Sequence, residues 1–216
     1  MRSFVFLSMV LAGCVVGSQE PGDPDPTDPT DPDPTDPDPA TCPMAAAVTD
    51  TGDLTALKAQ QCNVPGTQGA QKFYRMSATL PGSTTEIVQL ELYDNKGPFA
   101  GKAVVPGTYP ITGTDASYAT CGVCVRAIGG KGTAGETTYF ATGGTVVVTS
   151  VGTGGGAASA TITNATFGEV DPTTNAAVTG GCASSLTRSK IDGTMIVTGG
   201  GGGGGGGGAC PTGIGD

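Results

Sequence analysis

Two low-complexity segments confine the folded part of this chain to its middle. Residues 21–39 contain eight of the sixteen prolines and seven aspartates, and Gly199–Gly208 is an unbroken run of ten glycines. Proline lacks a backbone N–H and fixes φ, so helices and sheets cannot run through the first segment. Glycine has no side chain to bury and loses much entropy on ordering, so the second segment predicts a flexible tether. A domain with its own core is therefore expected within residues 42–198.

The formal net charge of −9 belongs mostly to the proline-rich segment. Residues 1–41 hold eight of the nineteen acidic and one of the ten basic side chains, which leaves a net charge of −2 from Cys42 onward. Repelling aspartates and stiff prolines predict a polyproline II stalk that reaches roughly 60 Å. Nucleic acid is not an expected partner, because binding it requires a positively charged surface.

The first fourteen residues have the pattern of an export signal. Arg2 precedes an apolar run from Phe4 to Leu11, and small residues lead into Cys14. This run is shorter than the roughly 20 residues that span a bilayer, which predicts a cleaved signal rather than a membrane helix. The segment Leu11-Ala12-Gly13-Cys14 resembles the lipobox of bacterial lipoproteins, and the resemblance covers the signal only.

The lipobox resemblance implies a modification and a location. In that family the signal is cut before the cysteine, which carries a diacylglyceryl group, and the new amino terminus is usually acylated (commonly with palmitate). The resemblance implies that lipid on Cys14 attaches the protein to a membrane, and several acyl chains make such an anchor firm. Val15, rather than aspartate, follows the cysteine, which by family analogy implies the bacterial outer membrane, on its periplasmic face or at the cell surface.

These observations predict four regions along the chain. They are a lipoprotein signal peptide (1–13), a lipid anchor with an Asp/Pro/Thr-rich stalk (14–41), a β domain (42–198), and a poly-Gly tether with a cysteine-containing tail (199–216).

Within the predicted domain, strand-forming runs alternate with turn signals. The runs are residues 72–80, 86–94, 107–112, 117–128, 137–151, 158–170 and 184–197. One short helix is predicted near residues 53–62, where Asp53 can serve as N-cap and Leu54 and Leu57 would share a face. The predicted fold class is all-β: an antiparallel β-sandwich or jelly roll of about seven strands with one short N-terminal helix, braced by disulfides.

Six cysteines remain once Cys14 is assigned to lipid, and an even number in an exported protein predicts disulfides. They are Cys42, Cys62, Cys121, Cys124, Cys182 and Cys210. If residues 117–128 form one continuous strand, Cys121 faces the core and Cys124 faces outward, so these two cannot bond to each other. The expected pairing is then Cys121 with Cys182, Cys124 with Cys62, and Cys42 with Cys210.

The Cys121-Gly122-Val123-Cys124 sequence has two other interpretations. A zinc site requires four ligands, usually two such pairs or one pair with histidines, and this chain has one pair and no histidine. A redox pair is typical of a helix N-terminus, whereas the flanking residues here favour a strand. We therefore expect structural disulfides and neither metal nor cofactor, with a reactive thiol pair as the alternative.

The lack of histidine also removes Ser-His-Asp and Cys-His catalysis. Carboxylate chemistry remains, and Glu169 and Asp171 would share one face of a strand as a hydrolase pair. The loops 94–97 and 171–175 offer oxygen ligands for calcium, but both are equally good turn sequences. Residues 152–157 match a dinucleotide-binding glycine pattern only formally, because a strand rather than a helix follows, so a hairpin loop is predicted.

The sequence as a whole predicts a lipid-anchored structural or binding module of the bacterial envelope, not an enzyme. Loops 94–106 and 129–136 are its candidate contact surfaces, toward an envelope or extracellular ligand whose identity the sequence does not indicate. The alternative is an envelope enzyme that uses Glu169 and Asp171, or the thiol pair Cys121 and Cys124.

Overall fold

The computed structural model describes residues 42–66 and 69–198, so Cys14, the stalk, the glycine tether and Cys210 lie outside the described residues. This part of the chain forms ten strands and two short 3₁₀ segments, Gly97–Phe99 and Gly113–Ala116, without an α-helix. The strands are β1 (Val48–Thr55), β2 (Lys58–Gly66), β3 (Gly69–Thr79), β4 (Ile87–Tyr93), β5 (Gly107–Pro110), β6 (Val123–Gly129), β7 (Thr137–Val151), β8 (Ala157–Val170), β9 (Ala183–Thr194) and β10 (Ile196–Thr198).

All ten strands belong to one curled, mixed sheet in the order β1-β9-β8-β7-β6-β4-β3-β2-β10, with β5 paired to β7. The pairs β1–β9 and β10–β2 are parallel, and the other neighbours are antiparallel. The prediction of an all-β, disulfide-containing fold is confirmed. The architecture differs from the predicted seven-stranded antiparallel sandwich or jelly roll, because a single sheet curls around its own core.

Bends in the longest strands allow this curling. The β7–β8 ladder shifts register around Gly143. At Gly144, φ is +124°, and a Cβ atom there would lie 2.8 Å from the Cα of Ala165, so only glycine fits. Bulges bend and twist a strand, so β7 and β8 can each contribute to both parts of the curl.

The prediction of a helix at residues 53–62 is wrong, because these residues belong to β1, β2 and the corner between them. Between β1 and β2, the Ala56 N–H donates to the carbonyl of Asp192 at 2.7 Å, and the Leu57 N–H donates to the carbonyl of Ser77 at 2.7 Å. Leu54 packs against the core whereas Leu57 is 53% exposed, so the two leucines do not share a face. A helix of under three turns is marginal on its own, and strand pairing on both sides replaces it.

The concave face of the sheet carries the main hydrophobic core. Strand alternation supplies it with Tyr74, Met76 and Ala78 of β3, Val88, Leu90 and Leu92 of β4, and Val123, Val125 and Ala127 of β6. Only Met195 separates β9 from β10, so the strand that pairs with β1 continues as the strand that pairs with β2. Met195 therefore links β9, the second strand in the order, directly to β10, the last.

A disulfide joins Cys42 to Cys182, so the predicted Cys42–Cys210 and Cys121–Cys182 bonds are wrong. The chain after Cys42 runs beside the start of β9. The Ser184 hydroxyl donates to the carbonyl of Ala45 at 2.6 Å, and the Ser185 N–H donates to the carbonyl of Ala46 at 3.1 Å. This long-range pairing sets Cys42 beside a cysteine 140 positions later, which no local pattern indicates.

Candidate functional site on the outer face of the sheet

The convex, outer face of β3, β4, β6 and β7 carries a group of charged, aromatic and sulfur-containing side chains. Arg75, Glu91, Cys124, Arg126 and Phe140 lie on this face, because their neighbours along each strand line the main core. The strand register sets Arg75 opposite Glu91, Glu91 opposite Cys124, and Arg126 opposite Phe140. Side chains from four strands therefore form one connected site.

Glu91 is the centre of a buried charged cluster. Its Oε1 accepts a hydrogen bond from Gln89 Nε2 at 2.7 Å, and its Oε2 accepts one from the Tyr93 hydroxyl at 2.9 Å. Arg75 Nε and Arg126 Nη1 lie 3.6 Å and 3.9 Å from Oε1. Glu91 is 1% exposed and Arg75 is 2% exposed. One buried carboxylate thus faces two guanidinium groups, which leaves a net positive charge in a region shielded from water.

The guanidinium groups are incompletely satisfied. Arg75 Nε and Nη1 and Arg126 Nε have no hydrogen-bond partner among the described residues. Tyr118 compensates Arg126 in part: the guanidinium carbon lies 4.4 Å from the centroid of its ring, and Nη1 donates to its hydroxyl at 3.3 Å. An uncompensated buried charge is unfavourable, so the cover over this cluster is a stability-critical part of the site.

Burial and the negative charge of Glu91 raise the pKa of both nearby tyrosines. For Tyr93 and for Tyr118, loss of hydration is the larger cause and the Glu91 carboxylate the next. Both phenols therefore keep their protons well above neutral pH, since even an unperturbed tyrosine titrates near pH 10. The Tyr93 hydroxyl consequently serves as a hydrogen-bond donor to Glu91.

Cys121 and Cys124 are bonded to each other beside this cluster, so the prediction that they face opposite sides is wrong. The physical reason is that β6 begins only at Val123, so Cys121 lies in a turn where strand alternation does not apply. Cys124 does lie on the outer face, but both cysteines are buried under aromatic side chains. The predicted Cys124–Cys62 bond is also wrong, although Cys62 is itself disulfide-bonded.

The segment before β6, residues 111–122, forms what we term the cysteine loop. Asp115 anchors it to the sheet, because its buried Oδ1 accepts hydrogen bonds from the N–H groups of Gly122 at 2.7 Å and Val123 at 3.2 Å. A Cβ atom at Gly122 would collide with the carbonyl of Lys96, so the loop approaches residues 94–106 closely at this point. The Gly122 carbonyl also accepts the N–H of Tyr93 at 2.8 Å.

A groove of about 260 Å³ runs along the outer edge of the cysteine loop. Tyr118 and Phe140 line it with their rings in edge contact, the ring centroids 5.9 Å apart. Thr142, Glu169 and Asn175 are among the other residues that line it. The ring of Tyr118 therefore separates the solvent-facing groove from the buried Arg126. Any movement of the cysteine loop therefore changes the shape of the groove and the cover over Arg126 together.

The predicted carboxylate pair is engaged in holding backbone. Glu169 Oε2 accepts the N–H of Cys182 at 2.8 Å, and Asp171 Oδ1 accepts the N–H groups of Thr173 at 2.9 Å and Thr174 at 2.7 Å. Hydrogen bonds from the N–H and the hydroxyl of Thr174 are the largest causes that lower the pKa of Asp171, and the hydrogen bond from the Thr173 N–H is the next. Both carboxylates thus have structural partners at the end of β8.

The loops that offered oxygen ligands for calcium, or that formally matched a nucleotide pattern, are also defined by internal contacts. Asp94 Oδ1 accepts the N–H of Val104 at 2.8 Å and closes the 94–106 loop. Residues 152–156 form the tight turn between β7 and β8, which confirms the predicted hairpin. Within residues 42–66 and 69–198, no three His, Cys, Asp or Glu side chains are grouped so as to hold a metal ion.

Sequence reasoning missed the charged cluster of Arg75, Glu91 and Arg126. A usable signal was present, because Glu91 and Arg126 each interrupt a strongly apolar strand at an alternate position, and Arg75 lies between Tyr74 and Met76 of β3. Such a position normally indicates a solvated outer face, and only the tertiary structure reveals that this outer face is buried.

No family model matches this chain, and neither does any curated protein or solved structure. In the part of the chain that the structure describes, no helix has the length and apolar character needed to cross a bilayer. We therefore infer function from the residues and their geometry.

Proposed function

We propose that this protein is a lipid-anchored binding module of the bacterial envelope, tethered to the outer membrane through Cys14 and the stalk of residues 14–41. The lipobox resemblance of Leu11-Ala12-Gly13-Cys14 and the stiff Asp/Pro composition support the anchor and the spacer. The domain of residues 42–198 would then be the part that a partner contacts.

The observation that carries the proposal is a preordered contact loop beside the cysteine loop. Asp94 closes the loop of residues 94–106 by accepting the N–H of Val104, and Phe99 of the same loop is fully buried. The tip nevertheless presents Lys102 and Val105 to solvent. A loop ordered before binding loses little conformational entropy when a partner arrives, and this favours recognition.

The second predicted contact loop, residues 129–136, lies at the other end of β6. Antiparallel pairing sets Leu92 opposite Val123 and Ile87 opposite Ile128, so the two loops begin about 20 Å apart. One small partner therefore contacts one loop, and we assign the contact to residues 94–106 because Lys96 lies directly against Gly122 of the cysteine loop.

Anchoring is tested by fractionating cells that express the full chain or a Cys14→Ser variant. The full chain is expected in outer-membrane fractions, with a mass increase that matches acylation, whereas the variant is expected to be soluble or unprocessed.

Binding is tested with purified protein against outer-membrane vesicles and peptidoglycan sacculi. A Lys102→Glu/Val105→Asp variant should lose binding, and Lys131→Glu, at the other end of β6, is the matched control. Equal binding by all three proteins would contradict the assignment to residues 94–106.

A specific observation favours thiol–disulfide exchange as the second candidate function. The CxxC cysteines Cys121 and Cys124 form the intramolecular bond that exchange enzymes cycle. Reduction of an insulin disulfide in the presence of a thiol donor tests it directly. Activity that disappears in a Cys121→Ser variant would establish this role, and activity equal to buffer would exclude it.

A further inference from the structure

We propose that the Cys121–Cys124 disulfide is a redox-sensitive latch, which holds the cysteine loop closed over the cluster of Arg126 and Glu91 and which a dithiol reductant opens. This inference goes beyond the proposed binding role and does not depend on it.

The two sulfurs have no room to separate while the site stays closed. Cys121 is 1% exposed and Cys124 is not exposed, and they pack with Phe140 and Val170 beneath Tyr118. Bonded sulfurs lie about 2.0 Å apart, whereas two thiols must move to non-bonded contact. A close-packed interior has no void to absorb that separation, so reduction has to displace a neighbour.

The neighbour that can move is the cysteine loop. β6 lies between β4 and β7, and β7 lies between β6 and β8, so both strands are held by ladders on two sides. The ends of the loop are tied to the sheet by the Ile111 N–H, which donates to the carbonyl of Gly144, and by the Gly122 carbonyl, which accepts the N–H of Tyr93. Between these ends the loop makes no such ladder, and Asp115 and the disulfide hold it to the start of β6. Segments with few backbone pairings open at the lowest free-energy cost.

Movement of the loop has a defined consequence at Arg126. The Tyr118 ring covers its guanidinium at 4.4 Å, and Nε has no hydrogen-bond partner among the residues that the structure describes. When Tyr118 leaves, this cation gains hydration that the closed state denies it, which favours the open state once the covalent tie is broken. The latch therefore couples a redox change to the exposure of a positive charge beside the groove.

The chemical step balances with a dithiol as reductant. One thiolate of the dithiol attacks the sulfur of Cys121, the loop cysteine, and Cys124 leaves as a thiolate that takes up a proton. The second thiol of the reductant then attacks the mixed disulfide and releases the Cys121 thiolate, which takes up a second proton. Two electrons and two protons pass to the protein, and the reductant becomes a disulfide.

The test compares the oxidised full chain, the same protein treated with dithiothreitol, and a Cys121→Ser/Cys124→Ser variant. Hydrogen exchange read by mass spectrometry reports residues 113–122, and phenylglyoxal labelling reports Arg126. Opening predicts exchange at least about tenfold faster in residues 113–122, with β7 and β8 unchanged. It also predicts labelling of Arg126 that is absent from the oxidised protein.

The control is a Cys42→Ser/Cys182→Ser variant, which loses one disulfide without touching the cysteine loop. It should be less stable overall but should keep Arg126 protected. The latch is overturned if reduction of Cys121–Cys124, verified by alkylation, leaves exchange and Arg126 labelling unchanged. It is equally overturned if the Cys121→Ser/Cys124→Ser variant, which keeps the other disulfides, exchanges faster across all strands together, because the bond would then be a general brace.

Discussion

The ring of Tyr118 lies over the guanidinium group of Arg126, 4.4 Å from its central carbon, and closes the outer face of the sheet at that point. Tyr118 belongs to the cysteine loop, whereas Arg126 belongs to a central strand. This contact therefore joins the part of the site that can move to the part that cannot.

Removal of the Tyr118 ring is expected to destabilise the fold. Tyr118→Ala uncovers Arg126 and loses the edge contact with Phe140, so the free energy of unfolding in urea should fall by about 2–4 kcal/mol. Tyr118→Phe keeps the ring and loses only the hydroxyl that accepts from Arg126, and should cost about 1 kcal/mol. Equal losses in the two variants would show that the hydroxyl, rather than the ring, carries the contact.

Neutralisation of the buried Glu91 should lower stability more than neutralisation of a carboxylate in an exposed ion pair. Glu91→Gln leaves Arg75 and Arg126 buried without a countercharge, and loss of one partner of a buried ion cluster costs about 3–5 kcal/mol. The matched variant Asp53→Asn breaks the exposed ion pairs to Arg188 and Lys190, and its unfolding midpoint should stay close to that of the parent. Chemical denaturation at neutral pH measures both, and an intact midpoint for Glu91→Gln would be inconsistent with the charge cluster.

The two disulfides within the described residues should contribute unequally to stability. Loop-closure entropy predicts about 5 kcal/mol for Cys42–Cys182, which spans 140 positions, and about 2 kcal/mol for Cys121–Cys124, which spans three. Thermal unfolding of the two double-serine variants checks the order. A larger loss for Cys121→Ser/Cys124→Ser would mean that native-state packing, and not chain entropy, dominates that bond.

The third disulfide is expected to join Cys62 and Cys210. Cys62 is disulfide-bonded, four other cysteines pair with one another, and Cys14 is the proposed lipid acceptor. Non-reducing peptide mapping of the exported protein should therefore recover the Cys62 peptide linked to the Cys210 peptide. Recovery of Cys62 linked to Cys14 would refute both this bond and the lipid assignment.

Acid should loosen the edge strand β1. Hydrogen bonds from the Gly52 N–H and Arg188 lower the pKa of Asp50, and those from Lys190 and Arg188 lower the pKa of Asp53. A carboxyl group with a lowered folded-state pKa stabilises the fold above its unfolded value of 3.8, and this contribution disappears as the pH falls through the folded-state value.

Carboxyl chemical shifts between pH 5 and pH 1.5 should therefore show Asp50 and Asp53 titrating below about pH 3.8. Amide exchange of β1 should rise over the same interval relative to β6, which serves as the internal control. Midpoints at or above the unfolded value would mean that Arg188 and Lys190 do not hold these carboxylates in solution.

Local sequence patterns were sufficient to locate the strands from β3 onward but not β1 and β2. All seven predicted runs correspond to strands of the structure, although the run at 117–128 forms a strand only from Val123 onward. Strand formation and turns depend on alternation and on residues such as the Gly143-Gly144 pair, which act within a few positions. The predicted helix at residues 53–62 was wrong because Leu54 and Leu57 are separated by a corner that only distant strands create.

By itself, the sequence determined that a β domain with few charges lies between a proline-rich segment and a glycine run, and that its outward strand positions include Arg75, Glu91 and Arg126. Only the tertiary structure decided that these charges are buried together and that Cys121 bonds Cys124. The reason is physical: alternation assigns a residue to a face of a strand, but burial of that face and the residue at which a strand begins depend on segments far away in the chain.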